Sequence, residues 1–124
     1  PLAALRELRL DHCGITELDL STLVGLQRLS LSHNRIESAH LARSGIEALR
    51  DLAALDLRNN ELKDKKALAR TLAKLGKLQS VWIIPNPCYP EDTPKYRRKM
   101  STLRHDIGAQ FWFVDGFDVD AHYV

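Results

Sequence analysis

Long apolar runs, paired cysteines and aromatic residues are all scarce in this sequence, and each scarcity excludes something. No stretch approaches the ~18 consecutive apolar residues that a membrane-spanning helix needs. No basic-then-apolar leader opens the chain, so no secretory signal is expected. The first residue is Pro1 and not Met, which reads as a piece processed or excised from something longer. Cys13 and Cys88 are the two cysteines; they form no C-x-x-C pair and are too few for a metal site of their own. Reduced thiols and an intracellular setting (cytoplasmic, ciliary or cytoskeletal, or nuclear) follow from that. Aromatic residues make up 6% of the chain, so the core has to be aliphatic. Phosphate-cradling glycine loops, H-E-x-x-H and a Ser/His/Asp set are missing too. The expectation is therefore no enzyme, no cofactor and no small-molecule substrate.

What is present is one domain's worth of ordinary globular composition, 124 residues with 44% hydrophobic and 27% charged. The net charge of +2 is unevenly spread: residues 1–60 carry 7 Lys/Arg against 8 Asp/Glu, residues 61–105 carry 11 against 4, and residues 106–124 carry none against 4. A basic middle and an acidic end suit nucleic acid, an acidic partner, or each other.

The organising signal is a repeat. One template, L-x-x-L-x-L-x-x-N/C-x-I/L, fits at Leu5, Leu8, Leu10, Cys13, Ile15; at Leu26, Leu29, Leu31, Asn34, Ile36; and at Leu52, Leu55, Leu57, Asn60, Leu62. A fourth copy, Leu78, Val81, Ile83, Asn86, runs until Pro87 stops it. The Asn/Cys positions lie 21, 26 and 26 residues apart. Within L-x-L, alternation across a short strand sends both apolar side chains to one interior. The Asn that follows turns inward, where its amide needs backbone partners; Cys13 is expected to fill the same slot as a small hydrophobe. Between strands, Leu41, Ile46, Leu49 and Leu52 mark one convex segment, and Leu68, Leu72 and Leu75 mark a helix. The first connection, residues 16–25, has room only for a turn or a 3₁₀ segment.

This template resembles the leucine-rich repeat. The fold class expected is α/β: a solenoid with a short parallel sheet on its concave face, helices and turns on its convex face, and a C-terminal helical cap. Repeats are placed near residues 2–25, 26–51, 52–77 and 78–90, the cap at 91–117 and an acidic tail at 118–124. The cap reading rests on Thr93 as N-cap with Pro94 behind it, on Tyr96, Met100, Leu103 and Ile107 along one helix face, and on Gly108 at its stop. A further strand is expected at Phe111–Val114, with Asp115-Gly116 as the turn after it. Asn86-Pro87, Tyr96-Arg97 and Val114-Asp115-Gly116 resemble the cap of eukaryotic intracellular leucine-rich repeat proteins. These include the spliceosomal A-prime protein, acidic nuclear phosphoproteins, the leucine-rich dynein light chain, mRNA-export receptors and ciliary proteins. The resemblance implies a protein-binding scaffold. At the other end Leu2 and Leu5 already sit in repeat register, so a preceding segment or a partner is expected on that edge.

Equivalent positions on stacked strands form columns ~4.8 Å apart. The middle column is Arg9, Ser30, Asp56, Trp82, and then Trp112 if the cap strand continues the sheet. Glu7, Arg28, Ala54 and Ser80 stand before it, and Asp11, Ser32, Arg58 and Ile84 after it. Trp82 lies between two residues that the repeat sends inward, so it has to face outward. Trp82, Ile84 and Trp112, with Asp56, Arg58, Arg28 and Arg9 around them, form the candidate surface for a partner helix or extended peptide. The bland alternative covers Trp82 with Trp112 or with the Tyr89–Thr93 loop. The basic run Lys63, Lys65, Lys66, Arg70, Lys74, Lys77 reads first as a solvated helix face. Continued into Lys95, Arg97, Arg98 and Lys99, it is the candidate RNA edge of a ribonucleoprotein component, a secondary reading because few aromatics interleave with the charges. A third reading makes the chain a structural segment of a longer scaffold. His12 and His33 occupy equivalent positions and are expected to be neighbours, but with only Asp11 or Asn59 nearby no zinc site is expected.

Overall fold

Leucines spaced to leave a strand on one face can be buried only if the next strand stacks beside them, and the chain does this four times over. The architecture is that of a computed structural model describing residues 4–90 together with the backbone of 113–114 and 117–118. Four strands, β1 (Glu7–Arg9), β2 (Arg28–Ser30), β3 (Ala54–Asp56) and β4 (Ser80–Trp82), run parallel in sequence order. Their register sets Leu8 beside Leu29, Leu55 and Val81. Backbone bonds carry the ladder past each strand end: Leu10 donates to Ser30, Leu31 to Asp56 and Leu57 to Trp82, at 2.8–2.9 Å.

Behind the sheet the core is almost wholly aliphatic. Leu26, Leu52 and Leu78, with Leu31, Leu57 and Ile83, are fully buried. Each such side chain contributes ~2 kcal/mol by leaving water. The first repeat differs: Leu5, Leu8, Leu10 and Ile15 are only half-buried and pack on the rim of the core.

The connections follow their lengths. Residues 16–25 make turns only. The second connection holds α1 (Ser38–Ala42) and a 3₁₀ turn, Ile46–Ala48. Gly45 opens that turn at φ +77°, and a Cβ there would come within 2.8 Å of Ser21; glycine answers both demands. The third holds α2 (Lys65–Ala73), where Asp64 caps the helix by accepting from the Ala67 N–H at 3.1 Å. Leu68 and Leu72 are buried along it, as their spacing requires, and α2 packs on α1. Among the described residues no helix is long and apolar enough to cross a membrane.

Beyond β4 the sheet continues with β5 (Phe113–Val114), parallel, and β6 (Phe117–Asp118), antiparallel to β5. The sequence pattern had not signalled β6. The register also corrects one expectation. Phe113 stands beside Ser80 and Val114 beside Val81, so Trp112 is not the residue across from Trp82. β5 arrives after a long crossover and not at the repeat interval, so template offsets do not fix its register. Trp112 itself, the cap helix expected from Thr93 to Ile107, and the candidate RNA-edge residues Lys95, Arg97, Arg98 and Lys99 lie outside the described residues.

Candidate functional site

The residue that ends the exit turn of each of the first three strands is left-handed: His12 and His33 at φ 57°, Asn59 at 58°. Asn tolerates that region and His is enriched there relative to bulkier residues. The turn swings the following Asn inward, where it becomes the strut between repeats. Asn34 accepts from the Cys13 and Ile15 N–H groups at 3.0 Å, Asn60 from Ile36 at 3.1 Å, and Asn86 from Asn60 and Leu62 at 3.1 and 3.2 Å. Their amide nitrogens donate to strand-end carbonyls, Asn60 to Leu31 at 2.8 Å and Asn86 to Leu57 at 2.8 Å. Each strut thus reaches back one repeat. Cys13, expected to be a buried small hydrophobe, is instead exposed. It occupies the first rung, where no described residue lies on its outer side; its thiol donates to the Asp11 carbonyl at 3.4 Å. Cys88 is buried and also free, and burial pushes its thiol up to about 11.

At the outer edge of these turns the His12 and His33 rings stack at 4.1 Å between centroids, and Asn59 meets His33 at 3.0 Å. Both His33 ring nitrogens are engaged by neighbours, Nδ1 with the Ser32 hydroxyl at 3.2 Å and Nε2 with Asn59, so the ladder acts as a packing device. Among the described residues no group of three or more His, Cys, Asp or Glu could hold a metal ion.

The outward side chains of the strands line one groove on the sheet, of about 670 Å³. It brings together Arg9, Arg28, Asp56, Arg58 and Trp82 of the candidate surface. Trp82 is half-buried, with Val81 and Ile83 fully buried on either side of it. Ile84 is also half-buried, but it packs against the core, precedes a cis peptide to Pro85 and does not line the groove. Tyr89 is buried, bridged to Asn86, and Lys65 lies 5.0 Å from its ring centroid.

The polar side chains of the groove are knitted to one another more closely than the column pattern indicated. Asp56 holds Arg58 in a fork, with contacts of 3.0 and 2.7 Å, and also accepts from the Arg58 N–H at 3.1 Å. Arg9 pairs with Glu7 at 3.1 Å. Asp11 accepts from the Ser30 hydroxyl at 2.5 Å and from the Ser32 hydroxyl and N–H at 2.7 and 3.0 Å. Burial pushes the Asp11 carboxyl up, but these hydrogen bonds, with Arg9 nearby, outweigh it and hold it below its ordinary value. Glu7 and the Asp11–Ser30–Ser32 cluster were not singled out from sequence. The signal for them was there in column adjacency, since residues one strand over and up to two places along come within reach.

On the convex side, Lys63, Lys66, Arg70 and Lys74 are exposed, whereas Lys77 is tied to Asp51 at 2.8 Å. The described part of the basic run is mostly solvated helix face.

One family model agrees with this architecture. Residues 3–62 match the family model described as Leucine rich repeat. Over 100 residues the chain is 32% identical to an uncharacterized protein of Caenorhabditis elegans, covering 80% of this chain and 21% of that protein. An internalin of Listeria monocytogenes is similar at a TM-score of 0.49 and 19% identity, over 80% of this chain and 31% of the internalin chain. The chain therefore spans about a fifth of the length of the curated relative it matches. With its parallel strands in one sheet, its helices between them and its matched repeats, the chain has the fold of a leucine-rich repeat solenoid.

Proposed function

We propose that this domain is a protein-binding module whose outer sheet face receives a segment of a partner. The observation that carries the reading is Trp82. The repeat forces its neighbours inward, its indole stays half-buried at the wall of an open groove, and the Asp56–Arg58 pair stands on the adjacent strand. A large aromatic with polar groups around it is the usual anchor of a protein interface. Rigid β-strands hold these side chains in place without a partner, so little ordering entropy opposes binding.

The test is a selection from a random peptide library displayed on phage, using the intact chain as bait. Peptides that bind the native chain, lose binding to Trp82→Ala and keep it for the convex-face control Lys66→Ala support the reading. A still-folded Trp82→Ala chain that retains every selected peptide overturns it.

A further inference from the structure

Six ionisable side chains line the groove, Glu7, Arg9, Asp11, Arg28, Asp56 and Arg58. Five are already engaged: Arg9 with Glu7, Arg58 with Asp56, and Asp11 with two serines. Arg28 is exposed, and among the described residues no carboxylate lies within ion-pair distance of its guanidinium. Its register neighbours across the sheet are Glu7, which is engaged with Arg9, and Ala54, whose small side chain leaves the space on that side open. A second hollow of about 530 Å³ shares Arg28, Ala53 and Gln79 with the main groove, so the trough continues past Arg28 toward the Asp51–Lys77 pair.

Resting on the proposed function above, we infer that the groove takes an extended protein segment that sets a carboxylate against Arg28 and an apolar side chain against Trp82. The charge follows from the pairings in the groove, where two serines take up the Asp11 carboxylate and Arg28 is, among the described lining residues, the cation outside any ion pair. A carboxylate matches its planar fork with two parallel hydrogen bonds. The spacing follows from the register. Arg28 and Trp82 are two strands apart and two residues along, which sets them ~12 Å apart from strand spacing and rise. In an extended segment rising ~3.3 Å per residue, side chains four apart face the same way at about that distance. The recognised pattern is therefore an Asp or Glu four residues from a large apolar residue. A polyphosphate chain suits the trough less well, because Glu7, Asp11 and Asp56 also line it and Trp82 is the one aromatic among its described lining residues.

The phage selection distinguishes this inference from the reading beneath it. Selected peptides should carry an acidic residue at that spacing, and a synthetic copy should bind Arg28→Ala about tenfold more weakly. Arg28→Glu should turn the preference toward Lys or Arg at the same peptide position. Both substitutions are at an exposed side chain, and circular dichroism checks that the fold is kept. Peptides that need Trp82 but carry no acidic residue and ignore Arg28→Ala overturn the inference and leave the proposed function standing. Selection that yields no Trp82-dependent peptide overturns both. Displacement of a selected peptide by single-stranded polyuridine, dependent on Arg28 and steep in salt, overturns it in favour of a phosphate ligand.

Discussion

Replacing Asn60 by alanine tests the strut between repeats. Asn60 is 6% exposed and serves groups on both sides. Its Oδ1 accepts from the N–H of fully buried Ile36 at 3.1 Å, and its Nδ2 donates to the Leu31 and Leu57 carbonyls at 2.8 and 3.1 Å. Those two carbonyls are not orphaned by the change. Leu31 still receives Asn34 at 2.9 Å, and Leu57 still receives Asn86 at 2.8 Å. The Ile36 N–H is left with no acceptor among the described residues. An unmet buried donor costs ~1–3 kcal/mol, and the two lost bonds to already served carbonyls add ~0.5–1.5 kcal/mol each. The expected loss is thus about 3–4 kcal/mol, which lowers the melting temperature by about 10–15 °C in a domain of this size. Asn34→Ala is the matched control. It strips the Cys13 and Ile15 N–H groups of their acceptor at 3.0 Å, but these lie on an exposed and a half-buried residue. Water replaces the amide there, and its lost bonds to the Leu10 and Leu31 carbonyls at 2.9 Å add ~0.5–1.5 kcal/mol each, so about 2–3 kcal/mol is expected. Urea titrations of both variants give the comparison, with the slope of the transition checking that unfolding stays cooperative. A loss at Asn34 equal to or above that at Asn60, with unchanged slopes, refutes the reasoning.

Three further outcomes follow from the same geometry. Leu55→Ala removes a fully buried side chain and should cost about 3–5 kcal/mol, while Leu8→Ala at the same repeat position should cost about 1–2 kcal/mol because Leu8 is half-buried; equal losses in denaturant titrations would contradict the burial gradient. Because the folded Asp11 carboxyl titrates below its unfolded value, it adds stability above the ordinary carboxylate range, and that stability is lost as pH falls through the lowered folded value. Asp11→Asn should accordingly flatten the fall of the urea midpoint below about pH 4, and a profile parallel to that of the native chain refutes the assignment. Finally, exposed Cys13 should react with a thiol reagent at once near pH 8, while Cys88, buried and pushed up to about 11, should wait for denaturant; two fast thiols in the native chain would count against that placement.

Much of the fold was legible because the repeat is overdetermined. Leu29, Leu55 and Val81 are fixed three ways, by the template, by strand alternation and by the helix-length gaps between copies, and they came out side by side. Cys13 was misread because the template states a slot and not what covers it, and at the first rung no described residue does. The Trp82–Trp112 column failed for a related reason: β5 follows a crossover whose length the repeat does not set, so its register comes from local pairing. Of the candidate site, the direction of Trp82 could be read from its neighbours, since alternation leaves it one side only. The pairing of Arg58 with Asp56 could not, because two residues on the same face of one strand can join each other or reach across strands. Side-chain geometry decides between those outcomes, and the sequence pattern carries none of it.

The asparagine struts give the solenoid a direction that the leucines lack. Leucine packing is symmetric between neighbours, whereas each Asn Oδ1 reaches toward the repeat before it, so every turn is held in place by the one that follows. The rung at Asn86 receives two N–H groups from buried residues, Asn60 and Leu62; that at Asn60 receives one, from buried Ile36; that at Asn34 receives two from the exposed first turn. The struts therefore pass from exposed and half-buried groups at the first turn to buried ones at the two that follow. The groove spans this change in burial, with Arg9 on the first strand, Arg28 on the second and Trp82 on the fourth. On the proposed reading, an aromatic anchor held on a strand costs little entropy to engage. The template accounts for the scaffold, and recognition is left to the positions that the template does not constrain.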